Sequence, residues 1–332
     1  MTAREYPVFT VTPKAERSLR AGHPWVYGEE VTAVEGAYQN GDMVDVVSNK
    51  GRYLGTGWVN DHSKIRVRII SRNANDTFDE AFFRRRVCYA LNYRKTVMGP
   101  VDYRCCRLIF GEADQFPGLT VDRFENILVT QVLSLGMERR KDWVYRALVE
   151  LLREDDEQID AIYERNDVAI RTLEGLEQGK GFYQMEGLKT DLSGHVTITE
   201  NGIKYDVDYI EGQKTGFFLD QKYNRQAAAK LARGRRVLDC FTHTGAFALN
   251  AAAAGAEHVT AVDVSAFALE LAAENGKRNG LTNLDYKCAD VFDLLTEMAK
   301  EKKCDYDYII LDPPAFTKSR ATAKNAYHGY KE

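Results

Sequence analysis

The sequence predicts three domains in series, namely a small β-barrel, an α+β domain and a doubly wound parallel α/β domain at the C-terminal end. With 332 residues, the chain is longer than one ordinary hydrophobic core supports. Its first part carries short β-branched stretches between glycine turns, whereas strand and helix patterns alternate from about residue 201 onward. These observations predict domains over residues 1–73, 74–200 and 201–332.

The β-barrel prediction depends on three strand-like stretches, which are 44–47, 53–59 and 65–70. They are rich in β-branched residues, which favour a pleated and half-buried backbone. In the last stretch Arg66 and Arg68 alternate with apolar residues, so we expect both to lie on one face of a strand.

The central domain is predicted to contain helices near residues 79–96 and 139–152. The first has an apolar stripe at helical spacing, formed by Phe83, Val87, Ala90 and Leu91. No residue pattern in this domain indicates catalytic chemistry.

The C-terminal domain alternates four apolar strands with helices. The predicted strands are 236–239, 259–262, 284–288 and 308–311, and the helices between them are 246–254, 265–280 and 291–300. Gly255 suits the end of the first helix, and Ser265 is a good N-cap for the second. Such an alternation predicts a parallel sheet that binds its ligand beyond the carboxyl ends of the strands.

An aspartate stands at or just after the end of each of these strands. They are Asp239, Asp263, Asp290 and Asp312, and we expect all four on the ligand-binding rim. A single aspartate at such a position is often only a helix N-cap, and for Asp290 this alternative stays open.

Two ligands suit a rim with an acid after the second strand, a dinucleotide and S-adenosylmethionine. Asp263 follows Asp239 by about 24 residues, a spacing that suits a carboxylate bound to both ribose hydroxyls. The loop 239–245, however, contains a single glycine, which is poorly suited to pyrophosphate. The pattern therefore favours S-adenosylmethionine, whose adenine amine Asp290 would bind. In the same region, His243 is interpreted as a packing or hydrogen-bonding residue, and Cys240 and Cys288 as small buried residues.

Composition limits the function classes. The net charge of −4 and the pI near 6.0 argue against a protein that coats nucleic acid through bulk charge, but not against an RNA enzyme with local basic patches. No apolar run approaches a membrane span of about 20 residues, and the N-terminus does not resemble a secretion signal. The six cysteines lack C-x-x-C spacing, which is typical of free thiols in a reducing cytoplasm.

The N-terminal part resembles the PUA domain, an RNA-binding module, in residues 19–27, 40–42 and 55–57. This resemblance implies that the first domain contributes RNA affinity and no chemistry. A purely structural interpretation of His23 and Trp25 is also open, in which His23 packs in a turn and Trp25 is an aromatic residue of the core.

The whole chain resembles the RlmI family of 23S rRNA cytosine-C5 methyltransferases. The resemblance is densest in Gly216–Arg225, Asp239–Phe247 and Asp312–Phe316. It implies a PUA domain, a central α+β domain and a Rossmann-like class I methyltransferase domain. It also implies S-adenosylmethionine as cofactor and 23S ribosomal RNA as partner, with no membrane; a homodimer is a hypothesis that the sequence does not decide.

The resemblance implies that the loop 241–245 holds the methionine part of the cofactor, that Asp263 holds its ribose and that Asp290 reads its adenine. The full set of expected cofactor-binding residues is Phe217, Asp220, Asp239, Phe241, Thr242, Gly245, Asp263, Val264, Ser265, Asp290, Val291 and Pro313. Asp312 is the expected catalytic residue, which holds the edge of the base.

Methylation at carbon 5 of cytosine also needs a thiolate that adds at carbon 6. The family's nucleophilic cysteine lies on the loop after the next strand, so we expect it beyond Glu332. We accordingly expect a catalytic domain truncated at its C-terminus, which cannot methylate as residues 1–332 alone. Two alternatives stay open, an exocyclic-amine methyltransferase acting on guanine N2 or adenine N6, and an RNA-binding protein without activity. Ala315 displaces the aromatic Phe316 by one position, which favours the C5 reaction over the amine reaction.

Overall fold

The computed structural model describes residues 5–302, 305–317 and 323–331. The chain folds into two compact units. One runs to Val196 and includes Val207–Phe217, and the other comprises Thr197–Asp206 and the chain from Phe218 onward. Within the described residues, no helix is both long and apolar enough to cross a membrane. The domain limits near residues 73 and 200 stay a prediction.

The N-terminal part of the first unit is a six-stranded mixed sheet around its own apolar core. Its elements are β1 (Val8–Val11), α1 (Pro13–Arg20), β2 (Trp25–Tyr27), β3 (Val31–Glu35), β4 (Met43–Ser48), β5 (Tyr53–Val59) and β6 (Ile65–Ser71). The strand order is β2-β6-β5-β4-β1-β3. Helix α1 begins with Pro13 after Thr12, whose hydroxyl accepts the N–H of Ala15 at 3.3 Å.

The rest of this unit is an α+β layer with a five-stranded sheet of order β11-β10-β9-β8-β7. Its elements are α2 (Glu80–Val97), α3 (Pro100–Tyr103), β7 (Cys105–Phe110), β8 (Leu119–Phe124), β9 (Ile127–Val132), α4 (Leu135–Glu138), α5 (Lys141–Glu154), β10 (Ala161–Asn166) and β11 (Gly179–Phe182). The predicted apolar stripe of α2 is confirmed, because all four of its residues are buried.

The small sheet and the α+β layer share part of one core. Trp58 on β5 is 1% exposed and packs in the same apolar cluster as residues of α2 and α5. A Cβ added to Gly136 would come within 1.9 Å of the Trp58 ring, so only glycine fits there. Across the same contact Arg68 pairs with Glu174 at 2.7 Å, and its side chain is 11% exposed. Of the two arginines predicted to share one strand face, Arg68 is therefore largely buried in an ion pair.

The second unit contains a parallel sheet of order β16-β15-β14-β17 with helices between the strands. A hairpin of β12 (His195–Glu200) and β13 (Ile203–Asp208) precedes it. The other elements are α6 (Lys222–Ala232), β14 (Arg236–Cys240), α7 (Ala246–Ala253), β15 (His258–Asp263), α8 (Ala266–Arg278), β16 (Leu284–Cys288), α9 (Val291–Glu301), β17 (Tyr308–Leu311) and α10 (Ala323–Lys331).

The predicted α/β fold is confirmed, and every predicted strand of this domain lies within two residues of its expected position. The end of helix α7 and the beginning of helix α8 are also where the sequence predicted them. Gly255 follows α7 with a φ of 92°, and the Ser265 hydroxyl accepts the N–H of Ala268 at 3.2 Å. The chain reverses its strand order between β14 and β17, which opens the crevice where such sheets bind ligands.

Candidate active site

Asp263 is the last residue of β15 and stands on the rim of the sheet. Its two carboxylate oxygens accept the backbone N–H groups of His243 at 2.8 Å and Ser265 at 2.9 Å. The side chain is half-buried, and each oxygen keeps a lone pair for a further donor. Asp263 is therefore a fixed acceptor at the place where the sequence predicted one.

The loop 241–245 is wound tightly against that carboxylate. Phe241, His243 and Gly245 all have positive φ, at 59°, 53° and 80°. Left-handed backbone at two non-glycine residues costs free energy and tends to persist at functional sites. A Cβ on Gly245 would lie 2.8 Å from the Cβ of Ala272, so this glycine lets the loop pack on α8.

Asp239 is buried beneath the loop 241–245, which it holds by hydrogen bonds, and does not lie on the ligand-binding rim of the sheet. It is 1% exposed, and its carboxylate accepts the Thr242 hydroxyl and, at 2.9 Å, the N–H of Ala248. Burial raises its pKa to about 7, and the negative charges of Asp312 and Asp263 act in the same direction. The expectation of four acids on one rim is thus wrong for Asp239. Strand β14 extends one residue further, to Cys240, than the sequence indicated.

Asp290 is the N-cap of α9. Its carboxylate accepts the N–H groups of Phe292 at 2.8 Å and Asp293 at 3.3 Å, and the side chain is exposed. The capping interpretation is therefore correct, and the exposed carboxylate can still accept a ligand amine. The neighbouring Val291 is 3% exposed and packs in the core, whereas Val264 is 73% exposed.

The two cysteines of this region differ. Cys240 is fully buried, and burial together with the charge of Asp239 raises its pKa to about 12. Cys288 lies at the end of the edge strand β16 and is exposed, with its thiol 3.4 Å from the carbonyl oxygen of Val264. Both cysteines were predicted to be buried, and this prediction is wrong for Cys288. Cys304, which the sequence places shortly before the last predicted strand, lies outside the described residues.

Asp312 directly follows β17 and is exposed. In the sheet register Cys240 lies level with both Val262 and Leu311, so Asp263 and Asp312 stand one residue beyond the same level. The two carboxylates thus occupy equivalent positions on the strands that flank β14. Pro313, the next residue, is half-buried.

The segment before α6 contributes Phe218, which the sequence did not single out. Its ring meets the His243 ring edge-on, with 5.6 Å between the centroids. Burial and the charge of Arg225 lower the pKa of His243, although the charge of Asp263 opposes them, so the neutral imidazole is favoured. The prediction of a packing role for His243 agrees with this contact. Of the two expected cofactor-binding residues in this segment, Asp220 is exposed and Phe217, in the first unit, is 7% exposed.

A buried ion pair holds Phe218 in place. Arg225 of α6 and Glu200 of β12 are 2% and 0% exposed, and their charged groups lie 2.6 Å apart. Arg225 also donates to the carbonyl oxygen of Phe218. The only sequence signal for this pair was the position of Arg225 within Gly216–Arg225, because its partner lies 25 residues away.

The arrangement suits a cationic ligand with a ribose. Asp263, Asp290 and Asp312 supply negative charge along the rim, and Val264 offers an exposed apolar surface beside the ribose acid. Three of the loop's backbone N–H groups, those of Thr242, His243 and Gly245, already donate within the protein, so few remain for pyrophosphate. These residues fit S-adenosylmethionine, whose sulfonium is positively charged and whose ribose carries two hydroxyl donors.

Comparison with known proteins agrees with this geometry. Residues 9–72 match the PUA-like domain, and residues 182–330 match the S-adenosylmethionine-dependent methyltransferase family. A Photobacterium profundum protein named ribosomal RNA large subunit methyltransferase I is 42% identical over 320 residues, covering 96% of this chain and 78% of the relative. A relative of the same name from Shewanella denitrificans is 42% identical over 323 residues, covering 96% of this chain and 79% of its own.

Two solved structures share the fold. A protein from Streptococcus mutans described as a SAM-dependent methyltransferase superposes with a TM-score of 0.77 at 23% identity, covering 98% of this chain and 82% of that chain. Another chain, crystallised in complex with SAH, gives a TM-score of 0.77 at 23% identity, covering 94% of this chain and 77% of that one.

Proposed function

Because this chain belongs to the ribosomal RNA large subunit methyltransferase I family, we propose that it transfers a methyl group from S-adenosylmethionine to carbon 5 of a cytosine in 23S ribosomal RNA. The observation that carries the proposal is the pair of level carboxylates, Asp263 and Asp312, on the two sides of β14. In this proposal Asp263 would hold the cofactor and Asp312 would hold the base.

The cofactor would be held by the loop and the rim described above. Asp263 would accept the two ribose hydroxyls, Asp290 the adenine amine, and Val264 would cover the adenine ring. When bound, S-adenosylmethionine supplies an electrophilic methyl group on its sulfonium. Asp239 and Thr242 would act indirectly, since they fix the loop that surrounds the methionine part.

The target base must leave its helical stack before it can reach this rim. Asp312 would accept from the exocyclic amine of the cytosine and so hold the base edge. Carbon 5 becomes nucleophilic only after a thiolate adds at carbon 6. Once carbon 5 carries the methyl group, a base would remove the C5 proton and the thiolate would leave. Cys240 does not suit that role, because it is buried and its pKa is raised to about 12.

Methylation of an exocyclic amine is the second candidate, since it also uses a carboxylate followed by two prolines. In that chemistry an aromatic residue of the motif stacks on the base. Here Phe316 contacts the rings of Phe292 and Tyr330, at centroid distances of 5.8 Å and 4.6 Å. An aromatic residue with such neighbours is less free to stack on a base, which favours the C5 reaction.

RNA binding by the PUA-like part would depend on residues other than Arg68, which is paired with Glu174. A ribosomal RNA substrate would place the protein in the cytoplasm, and the free thiols of the described cysteines suit that compartment. Assembly as a homodimer stays a hypothesis.

Two experiments test the proposal. Mass spectrometry of 23S rRNA from cells with and without the gene should map one 5-methylcytidine that the deletion abolishes. RNA carrying 5-fluorocytidine at the mapped position should trap the full-length enzyme covalently, because fluorine replaces the C5 proton and cannot be removed by a base. Absence of an adduct together with an N-methylated product would establish the amine reaction instead.

A further inference from the structure

Gln221 is held beside Asp312 in one orientation. It ends the 3-10 turn Leu219–Gln221 and immediately precedes α6. Its Nε2 donates to Oδ2 of Asp312 at 3.4 Å, and its Oε1 accepts from Nδ2 of Asn224 at 2.7 Å. Reversing the Gln221 amide would place its Oε1 against the Asp312 carboxylate, so that two acceptors would face each other with no hydrogen between them. The N–H groups of Gln221 therefore face Asp312.

Together the two side chains present a donor beside an acceptor. A carboxylate only accepts, whereas Nε2 of a glutamine carries two hydrogens, of which Asp312 uses one. Asp312 is exposed and Gln221 is half-buried, so a base at this part of the rim can reach both.

This pattern matches some base edges and opposes others. Cytosine and adenine place an amine donor next to a ring nitrogen that accepts, whereas uracil and guanine place a carbonyl acceptor next to a ring N–H donor. Flipped bases are read through hydrogen bonds of this kind on their Watson–Crick edge. We propose that Gln221 determines base specificity by donating to N3 of the target cytosine, while Asp312 accepts from its N4 amine.

The same hydrogen bond would assist the chemistry. This step rests on the proposed function, because addition of a thiolate at carbon 6 delocalises negative charge onto N3 and O2. A donor already aimed at N3 stabilises charge at the place where it develops. Gln221 would therefore contribute to the rate as well as to the choice of base.

The test is binding of oligoribonucleotides that carry cytosine or uracil at the mapped position, measured by fluorescence anisotropy with the full-length protein and SAH. The wild-type protein should bind the cytosine form at least tenfold more tightly. Q221E replaces the donor with an acceptor and should reduce this preference at least tenfold, and Q221A should reduce it by a smaller factor. Q226E, which alters an exposed glutamine on the same helix, is the matched control and should keep the wild-type preference.

A Q221E variant that keeps the wild-type preference overturns the proposal. If Q221E loses affinity for SAH, Q221A decides in its place, since it adds no charge. The identity of the base that is methylated in 23S rRNA distinguishes a failure of this inference from a failure of the proposed function. A methylated adenine would contradict the C5 reaction but agree with the Gln221 pattern, whereas a methylated guanine or uracil would contradict both.

Discussion

Replacing Asp263 with alanine should weaken cofactor binding by about two orders of magnitude. Each carboxylate oxygen already accepts one backbone N–H and has one lone pair left for a ribose hydroxyl. Two hydrogen bonds to a charged group are worth roughly 1.5–3 kcal/mol each, and the half-exposed position favours the lower value. The expected loss is therefore about 3 kcal/mol, or about 100-fold in the dissociation constant.

Isothermal titration calorimetry with S-adenosylmethionine and SAH measures this directly. D263N, which keeps one acceptor oxygen, should lie between D263A and the wild type. D285A is the matched control, because Asp285 is on the neighbouring strand, is 76% exposed and pairs only with His258 among the described residues. A dissociation constant for D263A within twofold of the wild-type value would remove Asp263 from the cofactor site.

Three further predictions concern the supporting structure. Because the folded pKa of Asp239 is raised to about 7, above its unfolded value, its contribution to stability is present at low pH and is lost as the pH rises toward 7. D239N should lack this loss, so its free energy of unfolding in urea should rise relative to that of the wild type between pH 5 and 8. Parallel plots of unfolding free energy against pH for the two proteins would contradict the raised pKa of Asp239. G245A should lower the free energy of unfolding more than G280A, because both glycines have positive φ but only the first has a neighbour within 4 Å. Equal losses would show that the loop does not need this close packing. G136A should destabilise the first unit by about 1–3 kcal/mol through its collision with Trp58, and an unchanged melting temperature would refute that contact.

The α/β domain was predictable because its strands are short apolar runs between helices with clear caps and stops. Asp263 and Asp312 were predictable for the same reason, since each directly follows such a run. The burial of Asp239 was not predictable, because strand β14 includes one more residue, Cys240, than the apolar pattern indicated. The edge of the sheet therefore lies one residue beyond Asp239. A difference of one residue in a strand end lies below what an apolar pattern can resolve.

Long-range pairing explains the other differences. Arg68 has the alternation of a solvent-facing strand residue, yet its partner Glu174 lies 106 residues away in the chain. Cys288 is exposed because β16 is an edge strand, which depends on strand order and not on the residues of the strand itself. The link between Gln221 and Asp312 spans 91 residues, so no local pattern indicated it.

The most direct test of the central claim is methyl transfer in vitro. The full-length protein is incubated with S-adenosylmethionine that carries a deuterated methyl group and with 23S rRNA from a strain that lacks the gene. The RNA is then digested to nucleosides, which are analysed by mass spectrometry. The proposed function predicts deuterium-labelled 5-methylcytidine at a single position, and its loss when D312A replaces the wild-type protein. Label in N2-methylguanosine or N6-methyladenosine, or no label in RNA at all, would contradict it.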